Sequence, residues 1–271
     1  MIRRLTAVAV VLGAVACTEV ITDPNAVVAL RFDGSAYPSI VERDSLRDSL
    51  GALQPLRATA LNYKGEPVED AVFQFSSPDT VLRLFDDGVV YATRRKPDSS
   101  PARVFATVGT LQSTPDSLVI VHRADSIAGK TAEVVNVGAT ADFAISGADS
   151  LRYFVFGDTA AVGPAAPVPA WLVSFQLRYK GKLIAPNDTA VAYMFVATNT
   201  NPPGRRLMPI DTTDTQGKAT RQLVVKSIPA TVTEDTIFVI ATIRTRRAGT
   251  APISTETMVL LRRASATMIQ P

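Results

Sequence analysis

The chain reads as all-β, with two β-sandwiches in tandem behind a short apolar leader. Three observations carry that reading. Val, Thr, Ala and Ser are abundant, 18 prolines are scattered along the chain, and long stretches of helical periodicity are missing. From Val27 onward, short period-two segments alternate with turn residues. The 271 residues leave room for one large domain or two ordinary ones, and hydrophobic residues at 46% suffice for packed cores. Charged residues at 20% fall below the usual quarter, which argues against wholesale disorder.

The leader comes first. Met1 to Ala16 reads MIRRLTAVAVVLGAVA, two arginines running into an apolar stretch from Leu5 to Ala16. Twelve helical residues rise only about 18 Å, short of a hydrocarbon core of roughly 30 Å, so a membrane span is disfavoured. A positive start, an apolar middle and small residues at the end are the features of a secretory signal peptide over residues 1–16.

Ala14-Val15-Ala16-Cys17 resembles the bacterial lipobox, with Ala14 where that motif favours Leu. The resemblance implies that the Cys17 thiol receives a diacylglyceryl group, that the signal is cut before it, and that the new amino terminus is acylated. Several acyl chains anchor stably where one is marginal. The competing reading makes Cys17 an incidental small residue of an ordinary signal peptide. Cys17 is, however, the only cysteine of the chain, so it cannot form an internal disulfide. The expectation is a lipid-anchored, exported protein of the cell membrane or outer membrane, facing the periplasm or the cell surface. Residues 17–25 then form a lipidated tether.

A first unit is expected over residues 26–123. Its strand candidates are Val27–Phe32, Leu56–Tyr63, Val72–Ser76, Val81–Phe85, Val89–Ala92, Arg103–Val108 and Ser117–Val121. Lys64-Gly65-Glu66-Pro67 and Asp86-Asp87-Gly88 are turn signals. Seven short strands at this spacing point to an immunoglobulin-like sandwich. The segment Leu56–Asn62, then Lys64–Val68, Phe73–Ser77, Asp87–Val90 and Pro101–Gly109, resembles a bacterial Ig-like (Big) domain of the second group. Tyr37–Leu53 departs from that family's short early connection, and its fold stays open.

A second unit is expected over residues 126–264, joined by a short linker at His122–Ser126. Leu61-Asn62-Tyr63-Lys64-Gly65 recurs as Leu177-Arg178-Tyr179-Lys180-Gly181, each time followed by an apolar strand. Asp211–Thr220 resembles the turn signature of group-one Big domains, found in invasin- and intimin-like proteins, with Gly217 at the turn and Ala219 opening the return strand. Val191–Val196, Gln222–Val225, Asp235–Ile243 and Thr255–Leu261 are strand candidates. Gly157–Pro169 and Asn199–Arg206 read as loops, and the fold of 131–170 stays open.

Function is constrained mainly by what is missing. The formal charge is +3, and removing Arg3 and Arg4 from the 28 basic residues leaves 26 against 25 acidic ones, so a nucleic-acid partner is not expected. Arg94-Arg95-Lys96, Arg205-Arg206, Arg246-Arg247 and Arg262-Arg263 read as solvated loop charge, attraction to an anionic glycolipid or phosphate being the sharper alternative. His122 is the only histidine and reads as a solvated linker residue; no nucleophile elbow, zinc set or phosphate loop accompanies it. No catalytic residue, cofactor or metal ligand is expected. Asp86-Asp87, and Asp211 with Asp214, read as turn formers, with interdomain calcium as the alternative.

Trp171, the only tryptophan, reads as a packing residue rather than a sugar platform. The reading that results is a non-catalytic envelope lipoprotein displaying Ig-like domains for adhesion or spacing. It would be bound to the membrane through its acyl chains, with a protein or glycan ligand unspecified. The alternative is an envelope-assembly or carbohydrate-binding accessory protein, with Trp171 and the Pro/Gly-rich loops as its site.

Overall fold

A computed structural model describes residues 23, 26–35, 37–137, 143–144, 151–157, 165–198, 204–225 and 234–263. Cys17 and the leader lie outside these residues. Among those described there is no helix; all regular structure is β.

The first unit contains β1 (Ala29–Phe32), β2 (Ser39–Val41), β3 (Ala58–Leu61), β4 (Gln74–Ser76), β5 (Leu82–Leu84), β6 (Val90–Ala92), β7 (Ala102–Val108), β8 (Leu111–Gln112) and β9 (Asp116–Val121). One sheet has the order β2-β9-β7-β4, with β8 on β7, and β2 runs parallel to β9. The facing strands form two separate pairs, β1 with β3 and β5 with β6. Every strand candidate of this unit coincides with an observed strand.

The second unit contains β10 (Ala124–Gly129), β11 (Ala132–Val137), β12 (Phe143–Ala144), β13 (Leu151–Gly157), β14 (Ala166–Pro167), β15 (Leu172–Tyr179), β16 (Lys182–Ile184), β17 (Ala192–Thr198), β18 (Gly204–Leu207), β19 (Ile210–Thr212), β20 (Lys218–Val225), β21 (Glu234–Ile243) and β22 (Ile253–Arg263). Its sheets have the orders β10-β13-β20-β17-β18 and β11-β22-β21-β15-β16, and β11 runs parallel to β22. Counting β10, β13, β15, β17, β20, β21 and β22 as seven principal strands, the first, second, fifth and fourth share one sheet. The third, sixth and seventh share the other. That is the strand order of an immunoglobulin-like sandwich. In the first unit, β1, β3, β4, β5, β6, β7 and β9 follow the same scheme, except that β3 and β6 form no ladder.

The alternation read from the sequence sets the cores. In β13, Leu151, Tyr153 and Val155 point inward, and in β21 Ile237, Val239, Ala241 and Ile243 do so. Trp171, Tyr153 and Leu223 are among the largest fully enclosed side chains. The Tyr153 ring packs on Phe175, and its hydroxyl donates to Thr257 Oγ1 at 2.9 Å. The smaller first core gathers Ile40, Leu46, Val90, Val104 and Leu118.

Three readings change. The connection between the units is His122-Arg123 alone, because β10 begins at Ala124 rather than after Ser126. Neither predicted loop of the second unit is all loop: Gly204–Leu207 pairs with Phe195–Thr198, and Ala166–Pro167, inside Gly157–Pro169, pairs with Phe156–Gly157. The five-residue repeat is not a repeat of the fold. Leu61 closes β3, which pairs only with β1, whereas Leu177 lies in β15, between β21 and β16. The shared residues encode hairpins of different kinds: Asn62 N–H bonds Glu66 O around a three-residue loop, while Tyr179 pairs with Lys182 around two residues.

A different pair of turns is equivalent. Phe85-Asp86-Asp87-Gly88-Val89 and Asp214-Thr215-Gln216-Gly217-Lys218 each close with the first N–H on the fifth carbonyl and the glycine N–H on the first carbonyl. Each glycine has positive φ (79° and 70°), and its carbonyl accepts from the second principal strand or its approach: Leu56 N–H to Gly88, Val155 N–H to Gly217. A Cβ on Gly217 would lie 2.6 Å from Val155 O, and one on Gly88 2.9 Å from Leu56 O. Glycine is required at both positions by φ and by close approach together.

Candidate functional site

The predicted site residues do not converge. Cys17 lies outside the described residues. His122 sits in the two-residue connection, beside a polar recess shared with Arg43 and Arg123. Two of the acidic residues are engaged as turn formers: Asp87 accepts from Val89 N–H, and Asp214 Oδ1 accepts from Gln216 and Lys218 N–H. Asp211 pairs with the buried Arg221 at 2.7 Å and accepts from Thr220 N–H. Among the described residues, no group of three or more His, Cys, Asp or Glu is placed to hold a metal ion.

Trp171 is 1% exposed, so it presents no face on which a sugar could stack. Its backbone N–H donates to Thr213 Oγ1 and its indole N–H to Arg244 O, fixing the ring at the top of the second core. That position leads to the feature sequence reasoning missed, the junction between the sandwiches.

At the centre of the junction is Arg246, read from sequence as solvated loop charge and in fact 3% exposed. It lies in the turn between β21 and β22 with φ of 56°. Its guanidinium sits 4.0 Å from the Trp171 ring centroid and 4.2 Å from that of Tyr37, one aromatic from each sandwich. Two of its N–H groups donate to Ser39, at 2.7 Å to the carbonyl and 3.1 Å to the hydroxyl. The Ser39 hydroxyl in turn donates to Ala170 O at 2.6 Å. A cation held between two desolvated rings is worth more than an exposed one, of order 2 kcal/mol. Burial nonetheless opposes its charge and brings its pKa down to about 10, the Tyr37 hydroxyl favouring the charged form and Arg123 opposing it.

Arg123 makes a second clasp. It donates to Thr245 O at 3.0 Å and to Asp44 Oδ2 at 2.5 Å, while Arg47 holds the other oxygen of Asp44 at 2.9 Å. Burial works against ionisation of Asp44, but hydrogen bonds from Arg123, Arg47 and the Ser45 N–H outweigh it and leave the carboxyl below its ordinary pKa. Gly51 touches the second unit so closely that a Cβ there would lie 2.4 Å from Ala248 N. The cores also meet: Val41 and Val121 pack with the second core, and Leu172 with the first.

Five non-glycine residues among those described have positive φ, and three of them, Arg43, Ala170 and Arg246, lie in this junction. Such backbone costs roughly 1–3 kcal/mol per residue and persists only where the surroundings enforce it. The segment Tyr37–Leu53, whose fold was left open, supplies the first unit's half of the contact. Beside it opens a cleft of about 170 Å³, walled by Tyr37, Trp171, Leu172 and Ile210 and flanked by Arg244 and Arg246.

The arrangement defines a class: a protein whose described residues, all β in their regular structure, form tandem immunoglobulin-like β-sandwiches packed together at a junction. No family model and no curated protein matches the sequence. Among solved structures the chain is similar to the Yersinia pseudotuberculosis adhesin InvE, at 12% identity over 86% of this chain and 58% of that one, with a TM-score of 0.34. It is also similar to Rst D1-D2 (11% identity, 87% and 100% coverage, TM-score 0.30) and to protocadherin gamma C5 EC1-3 (11%, 85% and 66%, 0.28). The chain thus spans little more than half the length of the adhesin. The class assignment rests on strand order and register, not on these likenesses.

Proposed function

We propose that this is a non-catalytic cell-envelope lipoprotein, anchored through Cys17, whose two sandwiches act as a stiff spacer and adhesion module. The observation that carries the reading is the junction. A two-residue connection, with a buried arginine clasped from both sides, suits a protein that must hold a surface at a set distance and angle from its anchor. Membrane attachment follows from the lipobox-like Ala14–Cys17 and the lone cysteine. Binding would use exposed loops or sheet edges.

The test is Cys17→Ser in cells fed labelled palmitate. The parent protein is expected in the membrane fraction carrying label, and the variant in the soluble exported fraction without it. A variant that stays labelled and membrane-bound would overturn the anchor. Protease treatment of intact cells then tests the adhesion half: loss of the sandwiches places them outside, and full protection removes that role.

A further inference from the structure

The chain enters the first sandwich through β1 and β2 and leaves it at the end of β9, where Val121 leads into the connection. β2 and β9 run parallel and end together at the junction, Val41 and Val121 both packing with the second core. A pull on the amino-terminal tether therefore draws β2 away from the junction, while a load on the second sandwich draws β9 towards it. Opposed pulls along parallel neighbours shear the ladder, so its bonds must fail together rather than one at a time. This ladder is short. It has three residue pairs, closed by Val119 N–H on Pro38 O and Glu42 N–H on Val121 O. The corresponding parallel pair of the second sandwich, β11 with β22, has six. What the first ladder lacks is supplied from across the junction. Ser39, the first residue of β2, is fully buried and held by the second sandwich at three points. Arg246 donates to its carbonyl and to its hydroxyl, and the hydroxyl donates to Ala170 O. The two bonds from the guanidinium are charge-assisted, the stronger kind. Just beyond β2, Arg123 of the connection grips Asp44.

We propose that Ser39 is a load-bearing joint. A pull between the tether and the second sandwich passes from β2 directly into the second sandwich through Arg246 and Ala170, and bypasses the other strands of the first. The smaller sandwich stays folded under tension although its own ladder is short. This deepens the spacer reading and rests on it for its biological setting.

Cys17, the only thiol, serves as one handle and the carboxyl terminus as the other, in the unlipidated chain from Cys17 onward held at constant force. Release of residues 29–121 lengthens the chain by about 300 Å and release of 124–263 by about 450 Å, so length tells the two steps apart. The waiting time for the shorter step is expected to fall at least about tenfold in Arg246→Ala, since forced unfolding follows the unfolding rate. A smaller fall is expected in Ser39→Ala, which keeps the carbonyl contact. The handle is then moved off β1 and β2, by Cys17→Ser with Tyr63→Cys at the exposed hairpin beyond β3. Pulled from there, Arg246→Ala is expected to change the waiting time little. Equal shortening in both geometries would overturn the proposal, because Arg246 would then support the fold without carrying load. An unchanged waiting time in Arg246→Ala pulled from Cys17 would overturn it as well. Neither result depends on lipid attachment, which the labelled-palmitate test addresses separately.

Discussion

The two sandwiches share a strand scheme and differ in how much of it is laddered. In the second, β13 pairs with β20 over four residues, β21 with β22 over ten, and each sheet is continuous from edge to edge. In the first, the facing sheet breaks into two pairs. Its gap is bridged by the Tyr37–Leu53 segment, whose Leu46 N–H bonds Val90 O and whose Ser45 bridges Tyr91. The segment that completes the first fold is therefore the one that touches the second unit. The larger sandwich has the larger core and continuous sheets, whereas the smaller one depends on the junction segment to complete its facing sheet.

The most severe way to probe this contrast is Trp171→Ala. Removing a fully enclosed Trp is expected to cost about 3–5 kcal/mol, measured by denaturant unfolding. Because Trp171 also covers Arg246, the loss should reach the first unit as well, and a loss confined to the second would break the link between them.

Next comes Gly217→Ala against Gly65→Ala. Both glycines have positive φ, but only Gly217 faces backbone at 2.6 Å, while Gly65 has open space. Gly65→Ala is expected to cost about 1 kcal/mol from φ alone, and Gly217→Ala at least about twice that. Equal costs would show that the approach of Val155 O is without consequence.

The pH limits separate the regions further. Burial lifts the Tyr153 pKa to about 12, against the smaller opposing effect of its bond to Thr257. A raised value means its contribution is complete below pH of about 10 and lost as pH rises through about 12. Tyr153→Phe should cost about 1 kcal/mol at neutral pH and flatten that alkaline loss in the second unit. Asp44 is lowered instead, so its contribution is complete above the unfolded carboxylate range and lost as pH falls through the lower folded value. Asp44→Asn should cost about 1 kcal/mol or less at neutral pH and remove an acid-induced loosening of the junction, seen as line broadening at Thr245.

Much of the fold was legible because its signals are local. Seven first-unit strands follow from period-two patterns bounded by turns, and Gly217 with Ala219 was placed by the resemblance of Asp211–Thr220 to a family turn signature. β2 escaped because three residues behind Pro38 are too few to show a period, and its parallel partner β9 lies some 80 residues away. The site was less legible still. Arg246-Arg247 is indistinguishable in sequence from solvated charge, and only its approach to Tyr37 and Ser39, 207 residues from Ser39, makes it a buried clasp. Trp171 was read correctly as a packing residue, but what it packs against was not visible.

The central claim is that Arg246 holds the two sandwiches as one body. Residual dipolar couplings from backbone amides of both units test it directly. A single alignment tensor should fit both in the parent protein, and Arg246→Ala should require two, with each unit still folded. A parent protein that already needs two tensors, or an Arg246→Ala variant fitted by one, would contradict the account.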